Sequence, residues 1–153
     1  MKKVIIGAGI VVVILVAAIL IASQKYIAQS DKKVQAVKQS AGLTDKVALI
    51  STGAEVDLKN YLVKDKVVIF DFYADWCGPC KMISPKLEEL ANQYSDVVVR
   101  KIDIINWSSP VAKQYQLSSI PNVRVYDKQG MPVGEPTYDY NVVLENVNTA
   151  RAK

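Results

Sequence analysis

The sequence has no histidine and only two cysteines among its 153 residues. With no imidazole there is no Ser-His-Asp triad and no histidine general base. A four-ligand Cys/His zinc site cannot be built within one chain. Two cysteines also cannot make the multi-bridge framework of a small secreted scaffold. The excess of one charge over the other is small as well: 19 basic against 15 acidic residues leave a net of +4, and its placement matters. Residues 1–45 carry six lysines (Lys2, Lys3, Lys25, Lys32, Lys33, Lys38) against Asp31 and Asp45, which accounts for all of the +4. The remaining residues balance to zero. A nucleic-acid-binding domain would carry the excess on its own surface, so no nucleic-acid partner is expected.

One long hydrophobic run is present. Val4 to Ala22 holds no charged side chain, and at about 1.5 Å per residue it is long enough for a roughly 30 Å hydrocarbon core. A cleaved signal peptide normally has a shorter apolar region of about 7–15 residues, and Leu20 stands where cleavage needs a small residue. The run is therefore expected to be an uncleaved, single-pass membrane helix. Gly7-Ala8-Gly9 lacks the third glycine of a dinucleotide fingerprint, Val12 standing there instead, and reads as small residues in a membrane helix. Lysines flank both ends of the run, so a positive-inside count is ambiguous. The short tail before the run favours a domain outside the cytoplasmic membrane, facing the periplasm or cell exterior. Residues 1–22 are read as anchor, 23–45 as a polar stalk and 46–153 as the folded domain.

Within 46–153, strand and helix signals alternate. Val47–Ser51 is a short strand. Val56–Leu62 is a short helix or turn. Val67–Phe72 is an apolar, β-branched and aromatic run of the kind buried on both faces of a sheet. Cys77–Tyr94 has helical spacing through Met82, Ile83, Leu87, Leu90 and Ala91. Val97–Ile102 is a second central strand, Pro110–Tyr115 a short helix, Asn122–Tyr126 a third strand, Lys128–Gly130 a hairpin turn and Val142–Ala150 a last helix. The order predicts an α/β domain with a mixed central sheet flanked by helices.

Cys77 and Cys80 form a C-x-x-C, which reads as a redox pair when such a pattern surrounds it. Disulfide exchange needs a thiolate. A cysteine at a helix N-terminus faces unpaired N–H groups and the positive end of the helix dipole, which lower its pKa. The strand ending at Phe72 and the helix after Pro79 put Cys77 there. Pro79 suits the first turn because its missing N–H leaves no helical bond unmade. The two-residue spacer holds both sulfurs within disulfide reach. An inert disulfide across so short a loop would constrain the unfolded chain little. Asp71, inside an apolar strand, would be costly to bury ionised, so a raised pKa is expected. The alternative is an aspartate facing solvent at the strand end.

The run Phe70-Asp71-Phe72-Tyr73-Ala74-Asp75-Trp76-Cys77-Gly78-Pro79-Cys80-Lys81 resembles the active-site signature of thioredoxins, and the resemblance spans residues 46–153. Asp71 lies six residues before Cys77, Pro85 eight after it, and Ile120-Pro121 at the family's spacing to its cis-proline, 44 residues after Cys77. The resemblance implies a thioredoxin fold and a thiol–disulfide oxidoreductase without cofactor or metal. It implies Cys77 as nucleophile, Cys80 as resolving thiol and Asp71 as acceptor of the Cys80 proton. It also implies a substrate-binding rim of Trp76, Gly78, Pro79, Ile120 and cis Pro121, although Trp76 serves in packing as well. The Gly-Pro spacer resembles the reducing members, so protein disulfides are the expected substrates and reduction the expected direction. A domain outside the membrane needs a transmembrane thiol electron donor, or else it accumulates oxidised and acts as an oxidase. Glu55-Val56-Asp57-Leu58 resembles membrane-tethered thioredoxin-like proteins, some of which serve cytochrome c maturation, but the insertion they often carry after the central helix is not evident. The sequence departs from the family around the groove. Asn122 stands where threonine is common, the segment from Asp103 to Pro121 is longer and includes Trp107, and Tyr138 falls near a usual glycine. A non-catalytic partner-binding module is the other reading, and the intact Asp71, Cys77, Cys80 and Pro121 weigh against it.

Overall fold

The computed structural model describes residues 20, 21, 23–25 and 45–153. Residues 20, 21 and 23–25 are helical. The remainder of the expected membrane helix and nearly all of the stalk lie outside the described residues. Among the described residues, no helix is long and apolar enough to cross a membrane.

Five strands form one sheet: β1 (Val47–Thr52), β2 (Val67–Tyr73), β3 (Val97–Asp103), β4 (Asn122–Tyr126) and β5 (Pro132–Thr137). Their spatial order is β1-β3-β2-β4-β5. β1 and β2 run parallel to β3, while β4 and β5 turn back antiparallel. This is the mixed sheet that the order of sequence elements predicts. β2 is the central strand, and it and its neighbour β3 are buried along almost their whole length, as a strand covered on both faces must be; Val67, Ile69, Phe70 and Phe72 of β2 are all fully buried.

Alternation along β2 assigns the two faces. Val67 and Ile69 pack with Ile83, Leu87, Leu90 and Val147, under the helices α1 (Gly78–Gln93) and α3 (Tyr140–Ala152). Val68, Phe70 and Phe72 pack on the other face with Leu58, Ile102, Val111 and both cysteines. Burying a side chain of this size is worth roughly 1.5–3 kcal/mol. Asp71 has the parity of Ile69, so it faces α1.

Local signals set the helix ends. Ser109 caps α2 (Pro110–Gln114) by accepting from the Ala112 N–H at 3.3 Å. α3 begins at Tyr140, two residues before the apolar pattern suggests, because the Asp139 carboxylate accepts from the Asn141 N–H at 2.8 Å. The Val56–Leu62 segment contains a 3₁₀ turn, Leu58–Tyr61, capped by Asp57. The β4–β5 turn is built on Asp127, whose carboxylate accepts from the Gln129 and Met131 N–H groups, with Gly130 at φ 77°.

Candidate active site

β2 ends at Tyr73, and α1 begins at Gly78 after four intervening residues. Cys77 is the N-cap of α1. Its backbone is extended, and its sulfur accepts from the Cys80 N–H at 3.2 Å. Gly78 and Pro79 occupy the first turn, where a missing proline N–H costs nothing. Pro85 lies inside α1 and leaves the Lys81 carbonyl without its helical N–H partner.

Cys77 and Cys80 are joined in a disulfide with their Cα atoms 5.3 Å apart. Exposure does not separate them, since both are nearly fully buried. Their surroundings do. The Cys77 sulfur lies 3.8 Å from the carbonyl oxygen of Ile120. In the disulfide it carries no proton, so this is a contact that only the thiol form could turn into a hydrogen bond. The Ile120–Pro121 peptide is cis. Cys80, inside the helix, lines a cavity with Tyr73, Ser84, Glu88 and Lys101.

The outer rim is apolar. Trp76 is half-exposed, and its indole N–H donates to the Ile105 carbonyl at 2.7 Å. Its ring lies 5.8 Å from that of Trp107, also half-exposed. On another side of the helix start, Pro79, Met82, Ile83, Pro121 and Tyr138 line a groove of about 310 Å³. Gly78 is exposed, and a Cβ there would meet nothing within 4 Å, so the helix start is open to an incoming chain.

Beneath the rim the chemistry changes. Asp71 is fully buried on β2. One carboxylate oxygen, Oδ2, accepts from the Ser84 hydroxyl at 2.6 Å. The other, Oδ1, has no hydrogen-bond partner among the described residues. Burial pushes the Asp71 carboxyl up to about 6, against the lowering effects of the Ser84 hydrogen bond and the Lys101 charge. Lys101 sits opposite Asp71 in the β2–β3 register. It pairs with Glu88 at 2.6 Å and lies over the Tyr73 ring. Burial opposes its charge, yet Glu88, Asp71 and Tyr73 together hold it above its usual range.

The sequence reading named Asp71, Trp76, Cys77, Gly78, Pro79, Cys80, Ile120 and Pro121, and the structure gathers them around the N-terminus of α1. It missed Ser84, Lys101, Glu88 and the pairing of Trp107 with Trp76. A local signal existed for two of them. Ser84 is a polar residue within the otherwise apolar buried stripe of α1, and Lys101 is a charged residue in a strand that opens with three valines.

These parts permit thiol–disulfide exchange: a sulfur at a helix N-terminus, a second sulfur one turn inward, and a buried carboxyl that can hold a proton near neutral pH. The family model for thioredoxin matches residues 47–143. A chloroplastic F-type thioredoxin of Spinacia oleracea is 33% identical over 122 residues, covering 76% of this chain and 64% of that protein. Thioredoxin-2 of Saccharomyces cerevisiae is 48% identical over 62 residues, covering 40% of this chain and 59% of that protein. The crystal structure of the long form of spinach chloroplast thioredoxin f superposes with a TM-score of 0.54 at 31% identity, covering 74% of this chain and 93% of that one. A reduced Schistosoma mansoni thioredoxin pre-protein gives 0.52 at 31% identity, with 68% and 96% covered. The chain spans between 43% and 64% of the length of four of the curated thioredoxins it matches. It belongs to the thioredoxin family.

Proposed function

We propose that this protein is a thiol–disulfide oxidoreductase that reduces protein disulfides. The observation that carries this reading is Cys77 at the N-cap of α1, joined to Cys80 and backed by the buried carboxyl of Asp71. In the reduced state the helix N-terminus and the Cys80 N–H stabilise a Cys77 thiolate. That thiolate attacks one sulfur of a substrate disulfide, and the other substrate sulfur leaves as a thiolate. Cys80 passes its proton to Asp71, attacks the Cys77 sulfur, and expels the second substrate thiolate. Two electrons move from the cysteine pair to the substrate, and the pair ends as the disulfide.

The apolar run from Val4 to Ala22 supports a tether to the cytoplasmic membrane, with residues 46–153 facing the periplasm or cell exterior. A domain so placed takes its electrons from a thiol donor that spans the membrane. The fusion test is direct. Alkaline phosphatase joined after Lys153 is expected to be active and green fluorescent protein dark; the reverse pair overturns the orientation.

Insulin reduction by the full chain, with dithiothreitol supplying electrons, tests the activity. The expected result is precipitation of insulin chains, and a fully reduced chain that leaves insulin intact sinks the proposal. The reduction potential tests direction. A value near the roughly −270 mV of reducing thioredoxins supports reduction, and one near about −120 mV makes the protein an oxidant.

A further inference from the structure

Asp71 is buried away from solvent, yet two residues of α1 link its neighbourhood to the outside. Cys80 and Ser84 stand one helical turn apart on the same face, and both line a cavity of about 260 Å³ with Tyr73, Glu88 and Lys101. Of the two, Ser84 holds the carboxylate: its hydroxyl donates to Oδ2 at 2.6 Å, while Oδ1 has no hydrogen-bond partner among the described residues. The other polar groups facing Asp71 are Glu88 on α1, Lys101 on β3 and Tyr73 on β2. On β4 its partner is the apolar Val123. Arg100 and Arg124 pair with the adjacent Phe70 and project from the opposite face of the sheet.

We propose that Ser84 is a positioning residue for disulfide exchange: its hydroxyl pins Oδ2 and thereby leaves Oδ1 as the oxygen that takes the Cys80 proton. This rests on the reading of Asp71 as proton acceptor. In the step, the Cys80 S–H bond breaks and an Oδ1–H bond forms. The electron pair left on Cys80 attacks the Cys77 sulfur. The bond from Cys77 to the substrate breaks, and the substrate sulfur leaves with its pair. Ser84 donates to Oδ2 throughout and is unchanged. A hydrogen bond to the ionised form favours that form, so the same contact keeps Asp71 able to accept a proton at a pH where burial alone would already have filled it.

The test uses the full chain, reduced, mixed with insulin in single-turnover stopped flow from pH 4.5 to 9. Ser84→Ala is expected to shift the midpoint of the second step upward by about one pH unit, a size set by a hydrogen bond to a charged group. The shift is confined to the second step. Carbon NMR of the Asp71 carboxyl in the oxidised chain should move upward by the same amount, and this readout does not depend on turnover. Ser84→Thr keeps the hydroxyl and should return both midpoints toward wild type. In an Asp71→Asn background, Ser84→Ala should add no further shift. If Ser84→Ala leaves the carboxyl titration and the second-step profile in place, the proposal is overturned. If Asp71→Asn itself leaves the second-step profile unchanged, the reading of Asp71 fails first, and the two failures are told apart.

Discussion

Around the outer start of α1 the chain exposes Trp76, Trp107, Met82 and Tyr138. Beneath the same helix it buries Asp71 against Ser84 and sets Lys101 beside Glu88. The rim offers apolar area and a backbone edge at Ile120–Pro121, which suit an incoming polypeptide. The interior offers a fully buried proton site, whose hydrogen-bond partner Ser84 lines a side cavity together with Cys80. Disulfide exchange needs both, at different moments: contact with the substrate for the first attack, and proton removal for the second. The two-residue spacer joins them, with Cys77 turned toward the rim and Cys80 toward the cavity.

Each side can be broken separately. The largest effect is expected at the junction, where Cys77→Ser should abolish insulin reduction by the full chain. Any substantial remaining turnover would mean that Cys80 can attack unaided and that the rim and interior sulfurs are not specialised. Next is the interior. Asp71→Asn should slow the second step at pH 7 by about a hundredfold, the usual scale for a positioned proton acceptor. It should leave the first attack nearly at its wild-type rate, as read by stopped-flow fluorescence. Slowing of the first step alone would assign Asp71 to the rim chemistry instead.

The same carboxyl has a cost in stability, and its sign is fixed. Its folded pKa is raised from 3.8 to about 6, so the native state binds the proton more tightly than the unfolded chain does. Stability from this group is fully present below about pH 3.8 and is lost as the pH rises through about 6. At pH 8 the ionised, buried Asp71 should cost about 3 kcal/mol. Asp71→Asn should therefore stabilise the oxidised chain by about that much at pH 8, and by little at pH 3.5, in urea titrations. An equal gain at both pH values would put the cause in packing rather than charge.

The smallest effect is expected at the rim. Trp107→Ala removes the partner of the Trp76 ring, and an aromatic pair of this kind is worth roughly 0.5–1.5 kcal/mol. It should lower kcat/KM for insulin by about two- to tenfold. Reduction of a small aromatic disulfide such as dithiobis(nitrobenzoate) should change less. Equal losses on both substrates would mean that the indole pair holds the active site in shape rather than receiving substrate.

Much of this architecture is readable along the chain, because its signals are local. β2 declares itself by Val67-Val68-Ile69-Phe70, and α1 by its apolar spacing after Pro79. The β4–β5 turn is announced by Lys128-Gln129-Gly130. Asp71 stands out because it is acidic in an apolar run. Trp107 and Trp76 are 31 residues apart in sequence, and their contact depends on where the segment after β3 returns. Lys101 meets Asp71 only through the β2–β3 register, which no local pattern fixes. Ser84 reaches Asp71 only because α1 crosses β2 at that turn. The start of α3 at Tyr140 was open to a local reading of Asp139 as a cap, which apolar spacing alone overlooks.

The proposed mechanism gives the two sulfurs separate tasks, with Cys77 attacking the substrate and Cys80 resolving the intermediate. Mass spectrometry of mixed disulfides tests this most directly. Each single variant of the full chain is reduced, mixed with insulin and quenched with acid. Cys80→Ser is predicted to accumulate a covalent adduct to insulin through Cys77, while Cys77→Ser accumulates none. An adduct on Cys80 in the Cys77→Ser chain, with none in the Cys80→Ser chain, would contradict the account.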